Sequence, residues 1–236
     1  YSYIKSYLVV VILLLSASKY YAQSKTDSII KANKACENIE QITALYNALY
    51  GLDSLSKRLD YINFGIEKSR EIDYTRGLMQ MQYLKAVTYN EIESYDDAII
   101  YFQNAIKNAE ILQDSGYLRV CYMSIGGINL DIENYEQAKK EFFTGLKYAN
   151  NSIAKSVNIY NYLGTLYKEL GVVDSSLYYH NKNLKLREIK NDTIGLAYSY
   201  NNIGLVYKHS GDFKTALQYL NKSLEFKKKV NDTKGI

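Results

Sequence analysis

Apolar residues along this chain repeat on two scales. Locally they fall three and four residues apart, as in Tyr160, Leu163, Tyr167 and again Tyr200, Ile203, Tyr207, which puts them on one face of an α-helix. The whole block then returns. Asn161-Tyr-Leu-Gly164-Thr-Leu-Tyr167-Lys168-Glu-Leu-Gly171 maps onto Asn201-Asn-Ile-Gly204-Leu-Val-Tyr207-Lys208-His-Ser-Gly211. Positions Tyr46, Ala86, Gly126, Gly164 and Gly204 follow one another at steps of 40, 40, 38 and 40. All but the first are small. A second small residue comes twelve places after each of those four, at Ala98, Ala138, Ser176 and Ala216. Paired small residues let two antiparallel helices approach closely. An apolar anchor precedes the second small residue (Tyr95, Tyr135, Val173, Phe213), and one turn after it comes Phe102, Phe142, His180 or Leu220. No alternating, strand-like pattern is present. A fixed period of this size predicts an all-α solenoid, in which each unit buries its apolar face only against its neighbours.

Breaks between the helices are short. Gly171 and Gly211 suit left-handed helix ends, and Asp174 and Asp212 are placed to cap the helices that follow. Asp73, Asp114-Ser115, Asn151-Ser152, Asp192-Thr193 and Asp232-Thr233 recur as N-cap signals between units. That periodicity accounts for Asn150, Asn191 and Asn231 better than a glycosylation sequon does.

With these residues in register, the chain resembles the tetratricopeptide repeat family. The family's order of aromatic, Leu-Gly, Tyr, Ala, aromatic and small residue is met by Tyr200, Ile203-Gly204, Tyr207, Ala216, Leu220 and Ser223. It is met again by Tyr160, Leu163-Gly164, Tyr167, Ser176 and Asn183, with His180 departing at the aromatic position. The step is similar to that of the forty-residue subtype in kinesin light chains and in bacterial, Bacteroidetes-type sensor proteins. The resemblance implies a right-handed α-solenoid of antiparallel helix pairs. Its units span 73–114, 115–150, 151–190 and 191–230, with a degenerate unit at 39–72, a leading helical segment at 23–38 and a truncated repeat opening at 231–236. Such an unfinished repeat reads as the edge of a longer protein.

Composition sharpens this picture at a few points. The chain has no proline, so long uninterrupted helices are easily accommodated, and 26 tyrosines whose helical spacing makes them packing residues. Lys5, an apolar run from Tyr7 to Leu15 and the small residues up to Ala22 describe a secretory signal peptide over residues 1–22. Without that segment 27 basic residues face 25 acidic ones, too balanced for a nucleic-acid footprint. Membrane association is expected only through an uncleaved signal or a downstream segment. Cys36 and Cys121 are too far apart for their spacing to indicate a disulfide, and both read as small buried hydrophobes.

No phosphate loop, nucleophile motif or metal-type spacing occurs, so no catalytic residue, cofactor or metal is expected, and the chain is not read as an enzyme. His180 falls on a packing position, and His209 precedes a helix end. The family resemblance implies instead that the first helix of each unit lines a concave groove for a peptide or protein segment. Carried onto this chain, the groove residues are Gln80, Tyr83, Asn90, Met123, Asn158, Asn161, Lys168, Tyr198, Asn201 and Lys208, with Val87, Val120, Gly127, Thr165 and Leu205 between them. Asn161 with Asn201, and Lys168 with Lys208, form two ladders across adjacent units, suited to a peptide backbone and its carboxylates. The expected function is an exported, periplasmic or secreted interaction module. Two alternatives are the sensor region of a membrane histidine kinase or helix-turn-helix regulator, and an assembly scaffold.

Overall fold

The computed structural model describes residues 38–49, 52, 54–149 and 153–230. The expected signal peptide, most of the leading segment with Cys36, the junction at Asn150 to Ser152 and the repeat opening at 231–236 lie outside these described residues. The described residues form ten α-helices and no strand. They are α1 (Ile39–Leu49), α2 (Leu55–Glu71), α3 (Thr75–Glu91), α4 (Tyr95–Ile111), α5 (Ser115–Asp131), α6 (Tyr135–Lys147), α7 (Ile153–Glu169), α8 (Val173–Ile189), α9 (Thr193–His209) and α10 (Phe213–Lys229). The fold is all-α and built of repeated helix hairpins. Two compact units divide it, one ending at Asp114 and the other beginning at Ser115.

In the first unit α1 packs on α2 and α3, and α3 packs on α4. Its core gathers Ile42, Leu45, Leu49, Leu52, Ile62, Ile66, Met81 and Leu84. Tyr46, the bulky residue at a small position, is accommodated there and buried. Arg58, twelve places after Tyr46 where the other units carry a small residue, extends to an ion pair with Glu91 at 2.7 Å. In the second unit the hairpins α5/α6, α7/α8 and α9/α10 stack in sequence order, α7 against α6 and α9 against α8. Ala138, Phe142, Ile159, Leu163 and Leu166 form a core shared by α6 and α7.

The small residues act as sockets. A Cβ built on Gly126 would lie 2.6 Å from the Phe142 ring, and one on Gly164 would lie 2.6 Å from the His180 ring. On Gly204 it would lie 2.9 Å from Leu220. Each large residue of a second helix therefore drops against the backbone of the first. The tyrosines stack beside these sockets. Tyr179 lies on Tyr167 (centroids 5.6 Å apart, 5° between planes), and Tyr219 lies on Tyr207 (5.5 Å, 17°).

One turn geometry closes the hairpins. Gly171 (φ 71°) and Gly211 (φ 84°) take the left-handed conformation, as their place after a helix demands. At the other corners Asp73, Glu93, Gln113, Glu133 and Asn191 adopt it, with φ between 51° and 60°. In each corner the next N–H reaches back five residues, as Tyr74 N to Ser69 O at 2.8 Å and Asn134 N to Asn129 O at 2.7 Å. Asp73 thus ends a helix rather than capping the next one, a correction to its reading as an N-cap. Asp174 is likewise inside the first turn of α8, behind an N-cap at Val172. Asp192 and Asp212 do cap, accepting from Gly195 N at 2.9 Å and Thr215 N at 3.0 Å.

Candidate functional site

The second unit contains a cavity of about 280 Å³ with walls from four helices. Met123 comes from α5, Asn158, Asn161 and Tyr162 from α7, Asn183 and Arg187 from α8, and Gly195 and Tyr198 from α9. Residues 158, 161 and 162 share a helix face by their three- and four-residue spacing, and 183 and 187 do the same one helix later.

Hydrogen bonds fix this wall. Arg187 forms an ion pair through Nη1 with Asp192 Oδ2, and its Nη2 donates to Asn158 Oδ1 at 3.4 Å. Its Nε is buried without a partner. Gly195 makes room for this guanidinium: a Cβ there would fall 2.5 Å from both Arg187 Cδ and Asp192 Oδ2. The Gly195 N–H and then the Arg187 guanidinium hold the Asp192 carboxyl below its ordinary range, so it stays a carboxylate at neutral pH. Asn183 Nδ2 donates to Val157 O at 2.7 Å, and Ser199 Oγ donates to Asn183 Oδ1 at 2.6 Å. Asn202 Nδ2 donates to Asn161 Oδ1 at 2.7 Å. The Tyr162 ring stacks on Phe142 (5.2 Å, 14°). Burial, then the charge of Asp131, pushes its hydroxyl upward, so it stays a neutral phenol.

The side-chain oxygens of Asn158 and Asn161 therefore both accept from protein donors, which leaves the N–H₂ groups as the polar groups these two lining residues have to offer. The one full positive charge in the wall is already matched by Asp192. Such a surface suits neutral carbonyl acceptors better than a phosphate or a carboxylate.

Four of the residues singled out from the sequence, Met123, Asn158, Asn161 and Tyr198, line this cavity together. Asn201, Lys168 and Lys208 lie further along α7 and α9 and do not line it. Between the two first helices Asn161 is hydrogen-bonded to Asn202, the neighbour of Asn201, so its side-chain oxygen is already engaged. Lys168 is paired with Glu169 at 2.8 Å, whereas Lys208 is exposed. Gln80, Tyr83 and Asn90 belong to α3 of the first unit. Gln80 has a buried Oε1 with no hydrogen-bond partner, Tyr83 packs edge-on to Phe102 (5.7 Å, 61°), and Asn90 is exposed. Sequence reasoning missed Asn183 and Arg187 by assigning the wall to first helices alone, and passed over Tyr162 and Gly195, which stand on first helices beside the residues it chose. The recurring Asn191-Asp192-Thr193 turn, into which Arg187 reaches, was the available signal.

Among the described residues no three His, Cys, Asp or Glu side chains converge as metal donors, and no helix is long and apolar enough to cross a membrane. Cys121 is a free thiol, and burial pushes it up to about 12, which removes its nucleophilic form at neutral pH.

Comparison with known proteins agrees with this architecture. Tetratricopeptide repeat models match residues 155–229 and 80–111. Among solved structures, BtubC (BKLC) from P. vanneervenii superposes with a TM-score of 0.71 at 19% identity, covering 91% of this chain and 90% of that one. A Rap protein complexed with Competence and Sporulation Factor is similar at TM-score 0.62 and 12% identity, over 93% of this chain and 73% of that one. The TPR-like repeats of a putative kinesin light chain from Podosopora anserina give 0.59 at 10% identity, over 89% and 98% of the two chains. Identities this low speak for the fold alone. No curated protein matches the chain.

Proposed function

The chain belongs to the tetratricopeptide repeat family, and from that premise we propose that it is a protein-interaction module without enzymatic activity, holding an extended segment of a partner protein against α7 and α9. One observation carries this reading: the two donor amides of Asn158 and Asn161, oriented by Arg187 and Asn202, open onto a cavity whose charge is already balanced. Main-chain carbonyls are the groups such donors select. Met123, Tyr162 and Tyr198 add apolar area for a side chain of the bound segment. Asn201 and Lys208 extend the same surface along α9.

A displayed library of random peptides tests this. Peptides enriched on the wild-type chain should lose about tenfold or more in affinity on the Asn158→Ala/Asn161→Ala variant, with its helical content and melting temperature retained. Equal affinity for the variant would refute the assignment.

We also propose that the protein acts outside the cytoplasm, a reading supported only by the signal-like residues 1–22. Expression of the full chain in a bacterial host should yield a mature N-terminus following Ser18 or Ala22. Recovery with Tyr1 intact would contradict export.

A further inference from the structure

Corresponding positions of the four hairpins reveal a second cavity, away from the one above. Residues 82, 122, 160 and 200 are equivalent on the first helices, and 108, 148, 186 and 226 are equivalent at the second helices, with Tyr148 as the C-cap of α6. In α3/α4 the pair is closed by a hydrogen bond, Asn108 Nδ2 to Gln82 Oε1 at 2.7 Å. In α5/α6 Tyr148 stacks on Tyr122 (5.7 Å, 2°). In α9/α10 Phe226 stacks on Tyr200 (5.5 Å, 24°). In α7/α8 the partner of Tyr160 is Leu186, which has no ring to lay on the tyrosine. A cavity of about 320 Å³ opens there, lined by Tyr160, Lys182, Lys185, Leu186 and Ile189. A pocket of roughly 150 Å³ already admits a benzene ring.

Chemistry at the rim specifies what comes with the ring. Lys182 Nζ lies 5.3 Å from the Tyr160 centroid and 4.4 Å from that of Tyr178, and Lys185 is exposed beside it. Ile189 is 69% exposed and extends the apolar floor. The nearby acid Glu188 is turned to the next hairpin, with Tyr200 Oη 3.5 Å from its Oε1. The rim is therefore cationic over an apolar base.

We propose that the Tyr160–Leu186 cleft receives an aromatic side chain from an acidic segment of a partner protein, the ring taking the place that Tyr148 and Phe226 fill in the flanking hairpins and the acids meeting Lys182 and Lys185. The ring stacks on Tyr160, as its two counterparts do on theirs. The carboxylates add charge-assisted contacts at an exposed rim, where they act on rate and specificity and weaken with salt.

The chain contains no tryptophan, so a peptide indole can be followed without interference. The probe is a peptide of about ten residues with one tryptophan among glutamates. Binding to the full wild-type chain should shift the indole emission. Leu186→Phe, patterned on Phe226, should weaken binding at least tenfold while keeping or raising the melting temperature. Leu186→Tyr, patterned on Tyr148, serves equally if the phenylalanine variant folds poorly. Lys182→Ala with Lys185→Ala should weaken binding severalfold and flatten its salt dependence. A peptide with alanine for tryptophan should not bind. Asn158→Ala/Asn161→Ala should leave the probe's affinity unchanged, which separates this cleft from the amide-lined cavity. The proposal is overturned if the wild type does not bind the probe, if both Leu186 variants bind it as tightly as wild type, or if sedimentation shows the cleft occupied by a second copy of the chain.

Discussion

Replacing His180 with phenylalanine is expected to stabilise the protein at neutral pH and to remove much of its loss of stability in mild acid. His180 is 1% exposed and rests on the backbone of Gly164, yet its Nδ1 has no hydrogen-bond partner. Burial, reinforced by the charge of Lys168, lowers its pKa to about 4 from an ordinary 6.5. Above pH 6.5 the ring is neutral in both folded and unfolded chains and contributes no pH dependence. Between 6.5 and about 4 the unfolded chain takes up a proton that the folded chain refuses, so stability falls as pH falls. Below about 4 both forms are protonated and the loss levels off, after a total on the order of 3 kcal/mol. Phenylalanine occupies the equivalent position at Phe102 and Phe142, the latter against Gly126 with the same 2.6 Å approach. The ring therefore fits, and loss of the unpaired buried nitrogen should add about 1–2 kcal/mol at neutral pH. Thermal melts of both proteins from pH 7.5 to pH 4 decide the matter. Parallel curves would mean that His180 is not the acid-sensitive group.

Gly126→Leu is expected to destabilise the second unit by about 1–3 kcal/mol or more, because the new side chain must displace Phe142 from its socket. The effect should depend on size. Alanine stands at the corresponding position of the first unit, Ala86, where Phe102 is the counterpart of Phe142, so Gly126→Ala should cost much less than leucine. The contact also predicts non-additivity. Phe142→Ala alone leaves a cavity and costs about 3–5 kcal/mol, whereas adding it to Gly126→Leu should recover part of the leucine's cost, since large and small exchange places. Denaturant unfolding of the four proteins closes the cycle. Strict additivity would show that Phe142 does not pack on Gly126.

The sockets were legible because they depend on residue size at a fixed period, and size is written directly in the sequence. Gly126, Gly164 and Gly204 each meet the large residue that the register assigns to them. The turns were half legible. Glycine at 171 and 211 announces a left-handed residue, but nothing in Glu93, Gln113 or Glu133 does, because the hairpin geometry imposes that conformation against local preference. The candidate site was less legible still. Its first-helix residues follow the period, but Asn183 and Arg187 enter from a second helix, and the bond that engages Asn161 comes from Asn202. A one-dimensional period carries no information on such cross-helix contacts. The open cleft at Leu186 emerged only from comparing equivalent contacts, since a leucine in a helix is unremarkable until the rings beside it are seen.

The central claim is that Asn158 and Asn161 donate their side-chain amides to the main chain of a bound segment. Nuclear magnetic resonance of the labelled chain, titrated with a peptide selected on the wild type, observes those N–H₂ groups individually. Saturable shifts of the Asn158 and Asn161 side-chain resonances are expected, together with those of Tyr198 and the Gly195 amide. Saturation of binding with these resonances unmoved would contradict the claim.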